Sequence, residues 1–199
     1  MDRNWLLSNT CYGTWLPGKS GGFIGHVREH RPIDEQADIR VVHNMPGTPC
    51  DEEMHGLEAA ARKLMKGPPV YLKVAHAEAA LEQFLETATH RGWQIEAVAI
   101  MYNHFHIVVG VPSDPAPSKI LGDFKSWATR KLTKTFGAPA SETWWTQGGS
   151  KRKLKDETAR RDAINYVLYK QPAPLITWSP ATGLHYGYPP RPCEASVEP

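Results

Sequence analysis

The sequence predicts an α+β fold, an antiparallel sheet with helices packed on one side. Two apolar, β-branched runs, 94–101 and 104–111, are separated by only two residues, which is typical of a β-hairpin. Apolar residues recur at three- and four-residue steps over 77–91 and again over 118–136, which predicts one helix before the hairpin and one after it. With a strand at each end, the order becomes strand–helix–strand–strand–helix–strand, the ferredoxin-like arrangement.

The remaining elements follow from the same patterns. They are strands over 5–12, 70–72 and 143–146, and helices over 51–66 and 156–169. Each predicted helix is followed by glycine or proline within a few residues, which are the usual helix terminators. The stretch 148–155 is predicted to be a glycine turn that leads into a basic run.

At 199 residues the chain is expected to form a single domain, 1–199, with its core at about 5–178. A long insertion of loop and helix is expected at about 17–69, because most of it is rich in Gly, Pro, His and Arg and has weak periodicity. Five prolines follow Trp178, which predicts an irregular tail over 179–199.

Composition argues against several classes of protein. No apolar segment is long enough for a membrane-spanning helix, and the N-terminus lacks the pattern of a secretory signal. The three cysteines form no Cys-x-x-Cys pair, which disfavours a disulfide framework or a cysteine zinc site. We therefore expect a cytoplasmic protein.

Charge is unevenly distributed along the chain. Residues 119–170 carry 12 Lys and Arg against 5 Asp and Glu, although the net charge of the whole chain is only +2. A polyanionic partner would explain this basic region, and so would ordinary solvated helix faces.

His104 and His106 are the candidate metal ligands. Because side chains alternate along a strand, both histidines should project from the same face. Two adjacent imidazoles are able to bind one divalent cation, whereas a single histidine on a strand is usually structural. The spacing alone leaves both interpretations open.

Four stretches carry a resemblance to a known family. Residues 101–109, Met-Tyr-Asn-His-Phe-His-Ile-Val-Val, resemble the Met-x-Asn-His-hydrophobic-His-apolar signature of the HUH single-tyrosine transposases. Within that superfamily the chain resembles the REP-associated tyrosine transposases, with an IS200-like transposase domain. Stretches 12–18, 144–152 and 166–171 are similar to one branch of these proteins, and the resemblance spans about residues 5–178.

The resemblance implies metal-dependent cleavage and rejoining of single-stranded, hairpin-containing DNA through a 5′-phosphotyrosine intermediate, as in DNA transposition. His104 and His106 would hold Mg²⁺ or Mn²⁺ against the scissile phosphate, and Tyr166 would attack phosphorus. Gln171 would be a further metal ligand, although it lies five residues after Tyr166 where the commoner family spacing is four. Tyr169 remains the alternative nucleophile.

Basic and aromatic side chains are the predicted DNA contacts, because cations neutralise phosphates and exposed rings stack on unpaired bases. The set comprises Lys125, Arg130, Lys131, Trp144, Trp145, Lys151, Arg152, Lys153 and Lys170. One of the two adjacent tryptophans is expected in the core, since neighbours on a strand face opposite ways. The expected partner is a REP-like or transposon-end hairpin, bound by a nucleoid-associated monomer or homodimer without membrane attachment.

Two other functions stay open at this level. A regulator derived from such a transposase would bind DNA hairpins without cutting them, although the presence of both histidines and the tyrosine argues mildly against it. A metal hydrolase of small substrates would use the histidine pair alone, but it would leave the basic region without a role.

Overall fold

The computed structural model describes residues 1–19, 25–29, 39–43 and 53–190. In chain order its elements are β1 (Arg3–Thr10), β2 (Gly25–Glu29), β3 (Ile39–His43), α1 (His55–Lys63), α2 (Val74–Arg91), β4 (Gln94–Ile100), β5 (His104–Val111), α3 (Pro117–Phe136), β6 (Ser150–Leu154), α4 (Glu157–Tyr169), β7 (Ile176–Ser179) and β8 (Gly183–Tyr186). Six of the strands form an antiparallel sheet in the order β6-β1-β5-β4-β7-β8, and β2 and β3 pair separately. The predicted α+β class is confirmed.

Strand β5 lies at the centre of the sheet, between β1 and β4. All eight of its residues are buried, because helices cover both faces of the sheet at this position. Its antiparallel register with β1 places Ser8 opposite His106 and Thr10 opposite His104. Directly opposed residues share a face of the sheet, so these polar side chains lie together on one side.

The two faces of the sheet are covered by different helices. Helices α2 and α3 pack on one face, where Phe84, Phe105 and Phe124 form the centre of the larger core. Helix α4 packs on the opposite face, so the expectation that the helices lie on one side holds for α2 and α3 but not for α4. The two alanines of β4, Ala97 and Ala99, leave room for its close approach.

An ion pair also fixes helix α4 to the sheet. Arg160 donates to Glu96 of β4 across 2.8 Å and to Glu157 within the helix across 2.7 Å. Burial of Ala163, Val167 and Leu168 completes the contact. The C-terminal half of α4 is thereby held over the histidines of β5.

Three strand predictions are wrong in detail. Residues 70–72 are extended but join no sheet, and 143–146 make only an isolated bridge between Trp145 and Cys11. The sixth strand begins instead at Ser150, inside the stretch predicted to be a turn and a basic run. A strand at the edge of a sheet is able to carry consecutive charged side chains, so its hydrophobic pattern is weak.

The expected tail is also more regular than predicted. Residues 183–186 form β8, which follows β7 after a turn at 180–182 and begins at Gly183, where φ is +73°. The expected insertion at 17–69 contains the strands β2 and β3 as well as helix α1, which begins at His55 rather than at residue 51. Residues 20–24, 30–38, 44–52 and 191–199 lie outside the described part, including Cys50 and Cys193.

Two features of the structure bear on the expectations drawn from composition, namely the length and hydrophobicity of the helices and the state of Cys11. Within the described ranges, no helix is both long enough and apolar enough to cross a membrane. Cys11 is a buried free thiol, and its burial raises the pKa of that thiol above the ordinary range.

Candidate active site

His104 and His106 lie side by side on the face of β5 that is covered by α4. Their ring centres are 5.0 Å apart with the ring planes at 85°, and the two residues are only 8% and 9% exposed. The shared face expected from strand alternation is therefore present in the structure.

Each imidazole is oriented by a polar neighbour. Nδ1 of His106 lies 2.5 Å from Oγ of Ser8 on β1, and Nδ1 of His104 lies 2.7 Å from Oδ1 of Asn103. Partners of this kind fix the ring orientation of a metal-binding histidine and leave Nε2 for the ligand bond. The role of Ser8 was not predicted, because it depends on the register between strands almost one hundred residues apart.

Burial keeps both histidines neutral. It lowers the pKa of His104 to about 4, and together with the proximity of His104 it lowers the pKa of His106 to about 3. A hydrogen bond to the side chain of Gln171 opposes the shift in both cases. Near pH 7 neither ring carries the proton that would compete with a metal ion.

The free energy of unfolding is expected to fall as the pH drops below about 6.5, the ordinary pKa of histidine. The folded-state pKa values of His104 and His106 are lower, at about 4 and about 3, so the unfolded chain binds protons that the folded chain does not. At pH 5 this difference costs about 2 kcal/mol for each histidine. Urea denaturation of the metal-free protein at pH 7 and pH 5 measures the loss.

The variant His106→Asn should lose part of that pH dependence. His90→Asn is the matched control, since His90 is exposed on α2 and should leave the dependence unchanged. Equal pH dependence in wild type and His106→Asn would contradict the assignment of the effect to the buried pair.

Gln171 lies beside both imidazoles although its spacing from Tyr166 is unusual. The residue is 2% exposed, and its Nε2 donates to the backbone oxygen of Tyr166 across 3.0 Å. Its side chain also influences the pKa of both imidazoles, which places it next to the pair. Helix α4 ends at Tyr169, and the extra residue is accommodated beyond that end, where Lys170 leaves helical geometry.

The two candidate tyrosines have different surroundings. The ring of Tyr166 lies 5.6 Å from the ring of His106, centre to centre, and the residue is 41% exposed. Tyr169 packs instead against the smaller core under α4, and its hydroxyl donates to the backbone oxygen of Pro190 across 3.3 Å. Of the two, only Tyr166 adjoins the histidines.

An open cleft of about 260 Å³ adjoins the histidine pair. Its walls are formed by Ser8, Asn9, Thr10, Trp15, His104, His106, Thr146, Gln147, Gly149 and Ser150. Trp15 is only partly buried, and its ring lies 5.7 Å from that of His104. The cleft therefore combines an aromatic wall with many hydrogen-bonding side chains.

The loop 146–149 closes one side of the cleft and is held tightly. Lys125 donates to the backbone oxygens of Thr146 and Gly148 across 2.6 and 2.9 Å, and Asn9 donates to Gly148 across 2.9 Å. A Cβ atom at Gly149 would lie 2.7 Å from the backbone oxygen of Ser8, so only glycine fits there. Burial, aided by Lys151, lowers the pKa of Lys125 to about 8. The ammonium group of Lys125, one of the predicted DNA contacts, is thus engaged by the backbone of this loop.

Both tryptophans of the predicted DNA-contact set are buried, whereas only one of them was expected in the core. Trp144 and Trp145 are each only 5% exposed and belong to the larger core. Nε1 of Trp144 donates to Oγ1 of Thr133 across 3.0 Å, and the ring of Trp145 packs edge-on against Phe105. Because the segment is not a regular strand, alternation does not apply, and both rings turn inward.

The basic strand β6 presents its charges to both sides of the sheet. Arg152 is opposite Leu6 and lies on the face of the histidines, whereas Lys151 and Lys153 are opposite Leu7 and Trp5 on the other face.

Among the other predicted contacts, Lys170 is exposed at the end of α4, Lys131 pairs with Glu82, and Arg130 lies over the ring of Trp127. Of these predicted contacts, Arg152 therefore shares the sheet face of the histidines, and Lys170 directly precedes Gln171 in the sequence.

Comparison with known proteins supports the resemblance inferred from the motifs. The family model described as Transposase IS200 like matches residues 69–160, and the predicted resemblance is confirmed over this segment. The matched segment contains both histidines and ends before α4 reaches Tyr166. No curated protein matches the chain.

A solved structure of a REP-associated tyrosine transposase bound to a REP hairpin is similar at low identity. The alignment covers 84% of this chain and 66% of that one, with 9% sequence identity and a TM-score of 0.44. This chain thus spans slightly less than two thirds of the length of that protein.

Proposed function

We propose that this chain cleaves and rejoins single-stranded, hairpin-containing DNA through a phosphotyrosine formed on Tyr166. The observation that supports this most strongly is the placement of an exposed tyrosine beside two buried, neutral histidines on the same chain. The match of residues 69–160 to the IS200-like transposases supports the same reaction class.

A divalent cation, Mg²⁺ or Mn²⁺, fits the donors at His104, His106 and Gln171. Both rings have Nδ1 engaged by a neighbour, and the side chain of Gln171 lies beside them with its Nε2 donating to the backbone oxygen of Tyr166. Among the described residues no three His, Cys, Asp or Glu side chains cluster, so the third protein donor we propose is the amide. When bound, the ion would supply Lewis acidity at the scissile phosphate and orient its oxygens.

The protein's own contribution to the reaction is the nucleophile and its position. The phenolic oxygen of Tyr166 forms a bond to phosphorus while the bond from phosphorus to the 3′ oxygen breaks. The phenol loses its proton, and the departing 3′ oxygen ends as a hydroxyl. The phosphodiester energy is conserved on tyrosine, so the 3′-hydroxyl of a second strand reverses the step and restores the phenol.

The arrangement also supports action by a single chain. Strand β5 supplies both histidines, and the C-terminal end of α4 supplies Tyr166 with Gln171 just beyond it. We therefore propose a monomer that completes its site with its own tyrosine, in preference to a homodimer that exchanges helices.

The test is incubation of the protein with a single-stranded hairpin oligonucleotide and Mn²⁺, followed by denaturing electrophoresis. Wild type should form a protein–DNA adduct that resists denaturant, and Tyr166→Phe should form none because the attacking oxygen is missing. Tyr169→Phe is the matched control and should form the adduct at close to the wild-type rate.

Two outcomes would contradict the proposal in different ways. An adduct that persists in Tyr166→Phe would assign the nucleophile to another residue. Tight binding of the hairpin without any adduct in wild type would favour a regulator that binds DNA and does not cut it.

A further inference from the structure

Two exposed tyrosines, Tyr71 and Tyr102, stack on each other at the end of the sheet where His104 begins β5. Their ring centres are 5.6 Å apart with the planes inclined by 22°, and the residues are 55% and 52% exposed. The pair forms an exposed aromatic stack whose residues do not line the cleft, and the sequence motifs did not single it out.

Both rings are held in place by their backbones. On either side of Tyr71, Val70 and Leu72 are buried, and their N–H groups donate to the backbone oxygens of Tyr12 and Tyr102 across 2.9 and 2.6 Å. With both neighbours buried, the side chain of Tyr71 is left exposed. Tyr102 occupies the turn between β4 and β5, which is closed by a 2.8 Å bond from the N–H of Met101 to the oxygen of His104. Rings fixed in this way lose little conformational entropy when a ligand stacks on them.

The position of the pair relates it to the candidate active site. Only Asn103 separates Tyr102 from His104, and two residues span at most about 7 Å of backbone. Exposed lysines, Lys66 and Lys73, also flank Tyr71 in sequence. An aromatic surface next to cations is the combination that single-stranded nucleic acids favour, since each base offers a flat face and each phosphate a charge.

We infer that Tyr71 and Tyr102 form a stacking platform for an unpaired base of the DNA strand held at the histidines. The inference rests on the proposed function, because it takes single-stranded DNA as the ligand. It assigns to this pair the stacking role that the buried Trp144 and Trp145 are unable to perform.

The competing explanation is that the two rings only stabilise the turn between β4 and β5. Such a contact would contribute to folding, but it would not respond to a base in the DNA. The experiment therefore uses DNA substrates that differ only in their unpaired nucleotides, and all variants are made in a Tyr166→Phe background so that the DNA stays intact.

Affinity is measured for a hairpin with single-stranded extensions and for the same hairpin without them. The double variant Tyr71→Leu, Tyr102→Leu should weaken binding of the extended hairpin by about 5- to 150-fold, the range expected for one stacked base. Binding of the unextended hairpin should not change. Phenylalanine at both positions should preserve affinity, and Tyr186→Leu on the edge strand β8 is the control for loss of an exposed tyrosine.

A fluorescent base analogue, 2-aminopurine, placed at successive positions of the extensions gives a second measure. Its emission should be quenched at one position by the background protein and by the phenylalanine variant, and not by the leucine variant. Unchanged affinity for the extended hairpin in the leucine variant, or an equal loss for both hairpins, would overturn the platform. If either of these results occurs while the wild-type chain still forms the adduct, only the platform is overturned. If the wild-type chain neither binds the hairpin nor forms an adduct, the proposed function is overturned as well.

Discussion

Replacing His106 with alanine is expected to abolish cleavage of hairpin DNA while its affinity for that DNA stays within about threefold of wild type. The imidazole is neutral and buried at the proposed metal site, so its removal takes away one of the proposed metal donors and leaves the positive charge of the proposed DNA contacts unchanged. Cleavage is measured as strand breakage in Mn²⁺, and affinity as a binding isotherm in the absence of metal.

Ser8→Ala gives an intermediate step for comparison. Loss of the hydroxyl 2.5 Å from His106 should lower the metal affinity by about 10- to 100-fold, so that a higher Mn²⁺ concentration restores cleavage. His90→Ala, on the exposed surface of α2, should have no effect. Loss of DNA binding in His106→Ala, with thermal unfolding unchanged, would show that the histidine contacts DNA directly.

Replacing Trp145 with alanine is expected to lower the free energy of unfolding by about 3–5 kcal/mol, because a large buried side chain leaves a cavity. The ring is 5% exposed and packs 5.2 Å from the ring centre of Phe105 under the central strand. Trp127→Ala removes a tryptophan that is 38% exposed and should cost about 1 kcal/mol or less. Denaturant titration of both variants makes the comparison.

The same pair of variants decides between core and DNA-contact roles for Trp145. Once the lower stability is taken into account, Trp145→Ala should bind the hairpin as wild type does at a temperature where both are folded. If Trp145→Ala instead had wild-type stability but weaker hairpin binding, Trp145 would be assigned a contact with DNA.

Local patterns were sufficient to predict the centre of the fold. The hairpin of β4 and β5 was predictable because both strands are largely apolar and contain several β-branched residues, and α2 ends where Gly92 adopts a positive φ of 67°. From that hairpin it followed that His104 and His106 share a face. Strand alternation requires no knowledge of the partner strands.

The features that were missed depend on contacts between distant parts of the chain. Nothing in the apolar stripe of α4 indicates which face of the sheet it covers, and Ser8 meets His106 only through the register of β1 with β5. Strand β6 lacks the β-branched residues that mark a strand, because its position at the edge leaves most of its side chains in solvent. Spacing alone also gave no means of placing Gln171, which lies beyond the end of its helix.

Strand β6 has a further consequence for how copies of the chain behave in concentrated solution. It ends one side of the six-stranded sheet, and it carries Lys151, Arg152 and Lys153 in succession. A sheet edge is a template for pairing with another strand, and like charges directly opposite each other destabilise such a pair. Two copies that met antiparallel along β6 would bring these cations together, so the charges disfavour aggregation through this edge.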